Sequence, residues 1–213
     1  MITVNLVVAV ILAYLIGSIP TSVWIGRMFY NVDVRKEGSG NAGATNTIRV
    51  LGVKAGIPVL VLDIFKGWLA VYIANFFWDG TLTFPDLIDF KIILACAAVV
   101  GHVLPIYVGF KGGKGIATLL GIGLALFPYG ALIAVGIFTI TLLITGYVSL
   151  SSIVASVTFP FVELLFLGNH EYLSLNILAI AVAIFVPLTH RKNIQRLVKG
   201  EESKFTINKK KKE

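Results

Sequence analysis

The chain has 213 residues, of which 57% are hydrophobic and 14% charged, with a mean hydropathy of +0.89. A soluble domain is about 45–50% apolar and about 25% charged, so the composition excludes a water-soluble globular fold and points to a polytopic membrane protein of one domain. The net charge of +7 draws heavily on the unbroken run Lys209 to Lys212, the signature of a juxtamembrane tail near anionic lipid rather than of a nucleic-acid site. Cys96 is single, which rules out an internal disulfide framework, and its apolar neighbours predict a core position.

Residues 1–26 carry no charged side chain. The basic region of a cleavable leader is therefore missing, and the segment reads as a retained first span. A span needs about 20 apolar residues, and residues 2–25 supply them, with Pro20 near the inner end. Arg27, Arg35 and Lys36 follow, then the glycine-rich stretch Gly38–Arg49. Residues 53–78 form the second apolar run, interrupted by Asp63 and Lys66. These two, at i and i+3, are expected to pair inside the bundle because isolated intramembrane charges are costly. Asp79, Asp86 and Asp89 mark a loop, residues 92–108 a third run, and Lys111-Gly112-Gly113-Lys114-Gly115 a second glycine-rich element. The 48 residues from Gly115 to Val162 carry no charge. As one helix they would measure about 72 Å, so the run must break, and Pro128-Tyr129-Gly130 and Gly146-Tyr147 are the expected breaks. Runs at 116–127, 129–145 and 150–167 result, then a loop at Gly168–Glu171 containing His170, a last run at 173–189, and a basic tail from His190.

The expected fold class is all-α: a polytopic integral membrane helix bundle of seven transmembrane helices, N-terminus outside and C-terminus cytoplasmic. This arrangement puts Arg27, Arg35, Lys36, Arg49, Lys111, Lys114 and the tail inside and Asp79, Asp86, Asp89 and Glu171 outside, as the positive-inside rule demands. A five-span alternative, with 116–145 as one tilted or re-entrant segment, would strand Tyr147–Ser149 away from the other polar motifs. Residues 1–204 are read as a single membrane-embedded domain and 205–213 as a mobile basic tail.

Four elements can carry chemistry. In Gly38–Arg49, small residues let backbone N–H groups approach an anion, Ser39, Asn41, Thr45 and Asn46 add donors, and Arg49 can grip phosphate with two bonds. The competing reading is an interfacial turn, for which the donors are too dense. In Gly101–Thr118, two lysines flank a diglycine before an apolar helix, an anion site at a helix N-terminus. Snorkelling lysines explain the charges equally well. Gly115 follows Lys114, so this is not a nucleotide-binding P-loop. His102 reads as an interior hydrogen-bonding group as readily as a catalytic one. In Tyr147–Ser152 the hydroxyls fit helix capping or packing better than substrate contact. In His190–Glu201, His190, Asn193 and Leu197 share a helical face, whereas Arg191, Lys192 and Arg196 fit an amphipathic helix lying on headgroups. Three histidines without clustered partners give no transition-metal site. No cysteine nucleophile is near, no histidine precedes an aspartate by five positions, and no paired-aspartate motif appears. The reaction should therefore start from an activated donor and depend on positioning and charge stabilisation.

Together the stretches Gly38–Arg49, Gly101–Thr118, Tyr147–Ser152 and His190–Glu201 closely resemble the bacterial acyl-phosphate:glycerol-3-phosphate acyltransferases, and the resemblance runs the length of the chain. One departure is Ala42, where many members carry Pro or Thr. The resemblance implies an enzyme of the bacterial plasma membrane, working at its cytoplasmic face without a cofactor. It would move a fatty acyl group from acyl phosphate to the 1-hydroxyl of glycerol 3-phosphate, giving lysophosphatidic acid and phosphate in the first step of phospholipid synthesis. It implies that Ser39, Arg49, His102, Lys114, His190 and Asn193 carry catalysis. Substrate would be held by Gly38, Gly40, Asn41, Thr45, Asn46, Lys111, Gly112, Gly113, Gly115, Thr118 and Ser149. Its partners are glycerol 3-phosphate, acyl phosphate and membrane lipid, with no nucleic acid. The rival from another class is a transporter of a phosphorylated metabolite, for which inverted repeats and midplane polar breaks are expected.

Overall fold

The computed structural model describes residues 4–78, 86–167 and 172–205, and the regular structure among them is helical throughout. The expected outer-loop groups Asp79, His170 and Glu171 and the basic run at Lys209–Lys212 lie outside these residues. Helix α1 (Val4–Ser18) and α2 (Thr21–Tyr30) meet at Pro20, bent by 44°, because proline offers no N–H to continue the ladder. A short α3 (Ala44–Leu51) precedes α4 (Val53–Tyr72) and its continuation α5 (Ala74–Phe77). Next come α6 (Leu87–Val103) and α7 (Ile116–Leu126). Helix α8 (Pro128–Thr145) starts on a proline and ends at Gly146, whose φ of 77° makes a left-handed cap. Helix α9 (Val148–Phe161) contains Pro160 and widens into a π-helical turn at Val162–Leu167, the adjustment expected beside a missing donor. Helix α10 (Leu173–Thr189) bends by 61° into α11 (Arg191–Val198).

Four stretches are long and apolar enough to cross a membrane: Val53–Phe77, Leu87–Val108, Pro128–Thr145 and Val148–Leu167. The bent pairs α1–α2 and α10–α11 raise this to six among the described residues. The remaining apolar run, the fourth in the chain, is present as α7, whose 11 residues reach about 16 Å against about 30 Å of hydrocarbon.

What holds the helices together is close backbone approach rather than large side chains, as expected where lipid is as apolar as the core. Helices α1 and α6 interlock reciprocally: a Cβ on Gly17 would sit 2.1 Å from the Ala98 carbonyl oxygen, and one on Gly101 2.3 Å from that of Tyr14. Helices α4 and α7 do the same, through Gly67 against the Thr118 carbonyl oxygen (2.1 Å) and Gly121 against that of Ile64 (1.9 Å). Around them the core is built of Ala9, Ala13, Ala70 and Ala98 with Phe90 and Leu94. Ile11, Phe65, Leu143 and Ile184 face outward. Cys96 corrects the expectation of a core position: it is exposed, while Leu94, Ala95 and Ala98 take the inner face of α6. Inner and outer faces of a membrane helix are both apolar, so apolar neighbours do not distinguish them.

Candidate active site

The first glycine-rich loop is folded around one amide. Asn46 is buried on α3; its Oδ1 accepts from the backbone N–H (2.8 Å) and hydroxyl (3.0 Å) of Ser39, and its Nδ2 donates to the carbonyls of Val34 (2.7 Å) and Glu37 (3.1 Å). That exhausts the side chain's capacity. Gly38 has φ 59°, and a Cβ there would fall 2.5 Å from Asn46 Oδ1, so both conformation and space demand glycine. Gly43 caps α3 without a side-chain hydrogen bond, leaving first-turn N–H groups available to an anion.

The second loop hangs from the end of α6, with the N–H groups of Gly112 and Gly113 donating to the carbonyls of Val103 (3.1 Å) and His102 (3.2 Å). Gly113 is wedged where the two loops touch: a Cβ would lie 2.3 Å from His102 Nε2 and 2.6 Å from the Ala42 carbonyl oxygen. Gly115 then caps α7, so the N-termini of α3 and α7, each preceded by glycine-rich backbone, belong to loops in contact. Beneath them His102 Nδ1 lies 3.1 Å from Thr118 Oγ1 and 3.9 Å from Asp63 Oδ1. Asp63 also takes Lys66 Nζ (2.8 Å) and the Thr21 hydroxyl (2.7 Å), and Lys66 donates to the Ile19 carbonyl (2.9 Å). The intramembrane pair expected from the sequence is thus formed and buried.

The third and fourth elements meet at a carboxylate. Glu202 Oε1 accepts from the Ser149 hydroxyl (2.6 Å) and Asn193 Nδ2 (2.7 Å), and its Oε2 accepts from Arg196 Nε (2.8 Å). Lys114 Nζ donates to Asn193 Oδ1, which joins the second loop to this cluster. His190 Nδ1 lies 2.8 Å from the Val186 carbonyl oxygen; a bond to a carbonyl requires the proton on Nδ1, so a neutral ring keeps Nε2 as an acceptor. Burial pushes the Lys114 ammonium down from 10.5 to about 8, against the pull of Glu202 and with help from the Arg196 and Arg49 charges. Burial pushes the Glu202 carboxyl up, but its hydrogen bonds from Ser149, Asn193 and Arg196 prevail and hold it below the usual glutamate value.

Residues 7–200 match a sequence-family model described as glycerol-3-phosphate acyltransferase. A glycerol-3-phosphate acyltransferase of Fusobacterium nucleatum is 43% identical over 196 residues, covering 92% of this chain and 96% of the relative. One of Listeria monocytogenes serovar 1/2a is 42% identical over 205 residues, covering 95% and 98%. The chain belongs to the glycerol-3-phosphate acyltransferase family. Its fold agrees: the crystal structure of PlsY, an integral membrane glycerol 3-phosphate acyltransferase, in its glycerol 3-phosphate form superimposes with a TM-score of 0.82 at 37% identity, over 94% of this chain and 96% of that one. The lysophosphatidic acid form gives 0.77 at 36% identity, over 95% and 96%. This is therefore a PlsY-type integral membrane acyltransferase, and the transporter reading has no support.

Of the residues singled out in this acyltransferase, the structure gathers Lys114, Ser149 and Asn193 around Glu202, with His190 an electrostatic neighbour of Lys114 and Glu202, and the first loop meets the second where the Ala42 carbonyl approaches Gly113. Arg49 is an electrostatic neighbour of Lys114. Asn46 and Thr118 are wholly buried, bonded to the first loop and to His102, which makes them supports of the loops. Arg196, read as a headgroup contact, instead donates to Glu202; its i+3 spacing from Asn193 was the available signal. Glu202 was missed altogether. It is brought in by a strap after α11, where the Phe205 N–H donates to the Gly146 carbonyl (2.8 Å) and Lys204 Nζ lies 5.7 Å from the Tyr147 ring centroid.

Proposed function

We propose that this protein transfers a fatty acyl group from acyl phosphate to the 1-hydroxyl of glycerol 3-phosphate, releasing lysophosphatidic acid and inorganic phosphate. The site faces the cytoplasm of a bacterial plasma membrane in a seven-span arrangement with the N-terminus outside. The observation that carries this reading is the meeting of two glycine loops, each opening a helix, beside Lys114 and Arg49: a cradle for anionic groups. The glycerol 3-phosphate and lysophosphatidic acid forms of PlsY supply the acceptor and product chemistry by likeness.

The acyl phosphate rests on the Gly38–Asn46 backbone, with Thr45, and on the Lys111–Gly115 loop. Ser39, Arg49, Ser149, His190 and Asn193 hold the phosphate and glycerol of the acceptor. The acceptor oxygen attacks the acyl carbonyl carbon directly. The new C–O bond forms as the C–O bond to phosphate breaks, and that electron pair leaves with the phosphate, which also takes the hydroxyl proton. Lysine and arginine stabilise the oxyanion and the departing phosphate. Ser39 is unsuited to carry the acyl group, because its hydroxyl donates to the Asn46 amide oxygen, which is no base. Incubation with acyl phosphate alone should leave Ser39 unmodified by mass spectrometry, and a trapped acyl-Ser39 would overturn the direct route. Arg49→Ala should abolish transfer, and retained turnover would contradict the assignment of Arg49.

A further inference from the structure

The second loop has an unusual backbone. Gly109 (φ 70°) and Phe110 (φ 60°) are consecutive left-handed residues, and the left-handed region is unfavourable for a bulky non-glycine residue. Such a conformation persists only where surrounding contacts over-determine it. On one side the end of α6 and the turn just after it supply them: the Phe110, Gly112 and Gly113 N–H groups donate to the carbonyls of Pro105, Val103 and His102. On the other side the contacts come from far away in sequence. Arg35 NH1 donates to the Val108 carbonyl oxygen at 2.9 Å and to that of Lys111 at 3.4 Å, the two carbonyls that bracket the left-handed pair.

Arg35 is itself held rigidly. Its Nε and NH2 donate to the two oxygens of Asp33 at 3.0 and 2.8 Å, and its backbone N–H donates to Asp33 Oδ1 at 3.1 Å. Arg27 adds a further bond to Asp33 Oδ2 at 2.8 Å. Asp33 in turn sits just before the first glycine loop, whose Val34 and Glu37 carbonyls bind Asn46. We infer that Arg35, braced by Asp33, is a positioning residue that fixes the 108–111 segment, and with it the Gly112–Lys114 cradle, against the first glycine loop. The Arg35 hydrogen bonds hold the Asp33 carboxyl well below the usual carboxylate range, so the brace stays charged throughout the working pH range.

The chemistry demands a guanidinium. One face of the fork takes a carboxylate with two parallel bonds while the remaining nitrogen reaches two carbonyls, a geometry that the point charge of lysine does not reproduce. The test is amide hydrogen exchange of full-length Arg35→Lys in detergent. The Phe110, Gly112 and Gly113 amides should exchange at least about tenfold faster than in the unaltered protein, with α8 amides unchanged. A kinetic arm rests on the proposed transfer reaction: kcat should fall about tenfold or more, with KM for glycerol 3-phosphate changed less than threefold, because Arg35 touches neither Ser149 nor Asn193. Arg35→Ala should regain turnover with millimolar guanidinium and not with methylammonium. Asp33→Asn should loosen the same amides to a smaller degree. Unchanged exchange of those amides in both Arg35→Lys and Arg35→Ala would overturn the inference. Failure of the unaltered protein to transfer acyl groups would strike the reaction and leave the exchange arm intact.

Discussion

Lys114 makes the most quantitative prediction. Its ammonium loses protons at about pH 8 in the folded chain, inside the range where the enzyme can be assayed. If its charge is needed to hold a substrate phosphate, kcat/KM follows the fraction of Lys114 protonated in the free enzyme. With that midpoint the fraction falls from about 0.9 at pH 7 to about 0.1 at pH 9, a roughly tenfold loss of kcat/KM. Glu202→Gln removes the neighbouring negative charge that favours the ammonium, so the alkaline limb should move to lower pH. The stability effect of Lys114 has the opposite sign. Between pH 8 and 10.5 the unfolded chain binds more protons at this residue than the folded one, so its contribution to stability rises with pH across that window. The assay is initial-rate release of phosphate with spontaneous acyl phosphate hydrolysis subtracted, from pH 6 to 10. A limb that stays near pH 10 in the unaltered protein, or that moves to higher pH in Glu202→Gln, would refute the reasoning.

Other substitutions test the framework. Gly113→Ala inserts a Cβ 2.3 Å from His102 Nε2 and should lower kcat/KM by about 100-fold while the circular dichroism spectrum stays helical; activity within threefold of the parent would count against the meeting of the loops. Gly121→Ala drives a methyl to within 1.9 Å of the Ile64 carbonyl oxygen. It should destabilise the α4–α7 pair by about 1–3 kcal/mol or more, read as a lowered thermal midpoint in detergent. At the buried pair, Asp63→Asn and Lys66→Met should each cost about 3–5 kcal/mol by leaving an unpaired charge. The double variant should cost less than the sum, and strict additivity would contradict the contact.

Much of the architecture is legible because hydrocarbon imposes lengths and proline and glycine impose breaks. Pro128 and Gly146 begin and end α8 where the sequence places the breaks, whereas the run 2–25, read as one span, bends at Pro20. The choice of partners is not legible. Helices α1 and α6 meet through Gly17 and Gly101, but lipid-facing and helix-facing surfaces are equally apolar, and the same ambiguity misplaced Cys96. The loops of the site are legible because a dense run such as Gly38–Asn46 offers many donors and no core. Their bracing is not: Arg35 and Glu202 act across 73 and 53 residues of chain, and no local pattern marks such contacts. Arg35 counted only as an inside positive charge, and Glu202 is one acid in a polar terminal segment.

The central claim is that a phosphate-activated acyl group passes straight to glycerol 3-phosphate. The direct measurement uses purified protein with acyl phosphate and radiolabelled glycerol 3-phosphate, without coenzyme A or acyl carrier protein, following lysophosphatidate and phosphate together. The account predicts equimolar appearance of both products, with no enzymatic phosphate release when the acceptor is omitted. Phosphate release at the same rate without glycerol 3-phosphate, or lysophosphatidate formed only when an acyl thioester replaces acyl phosphate, would contradict it.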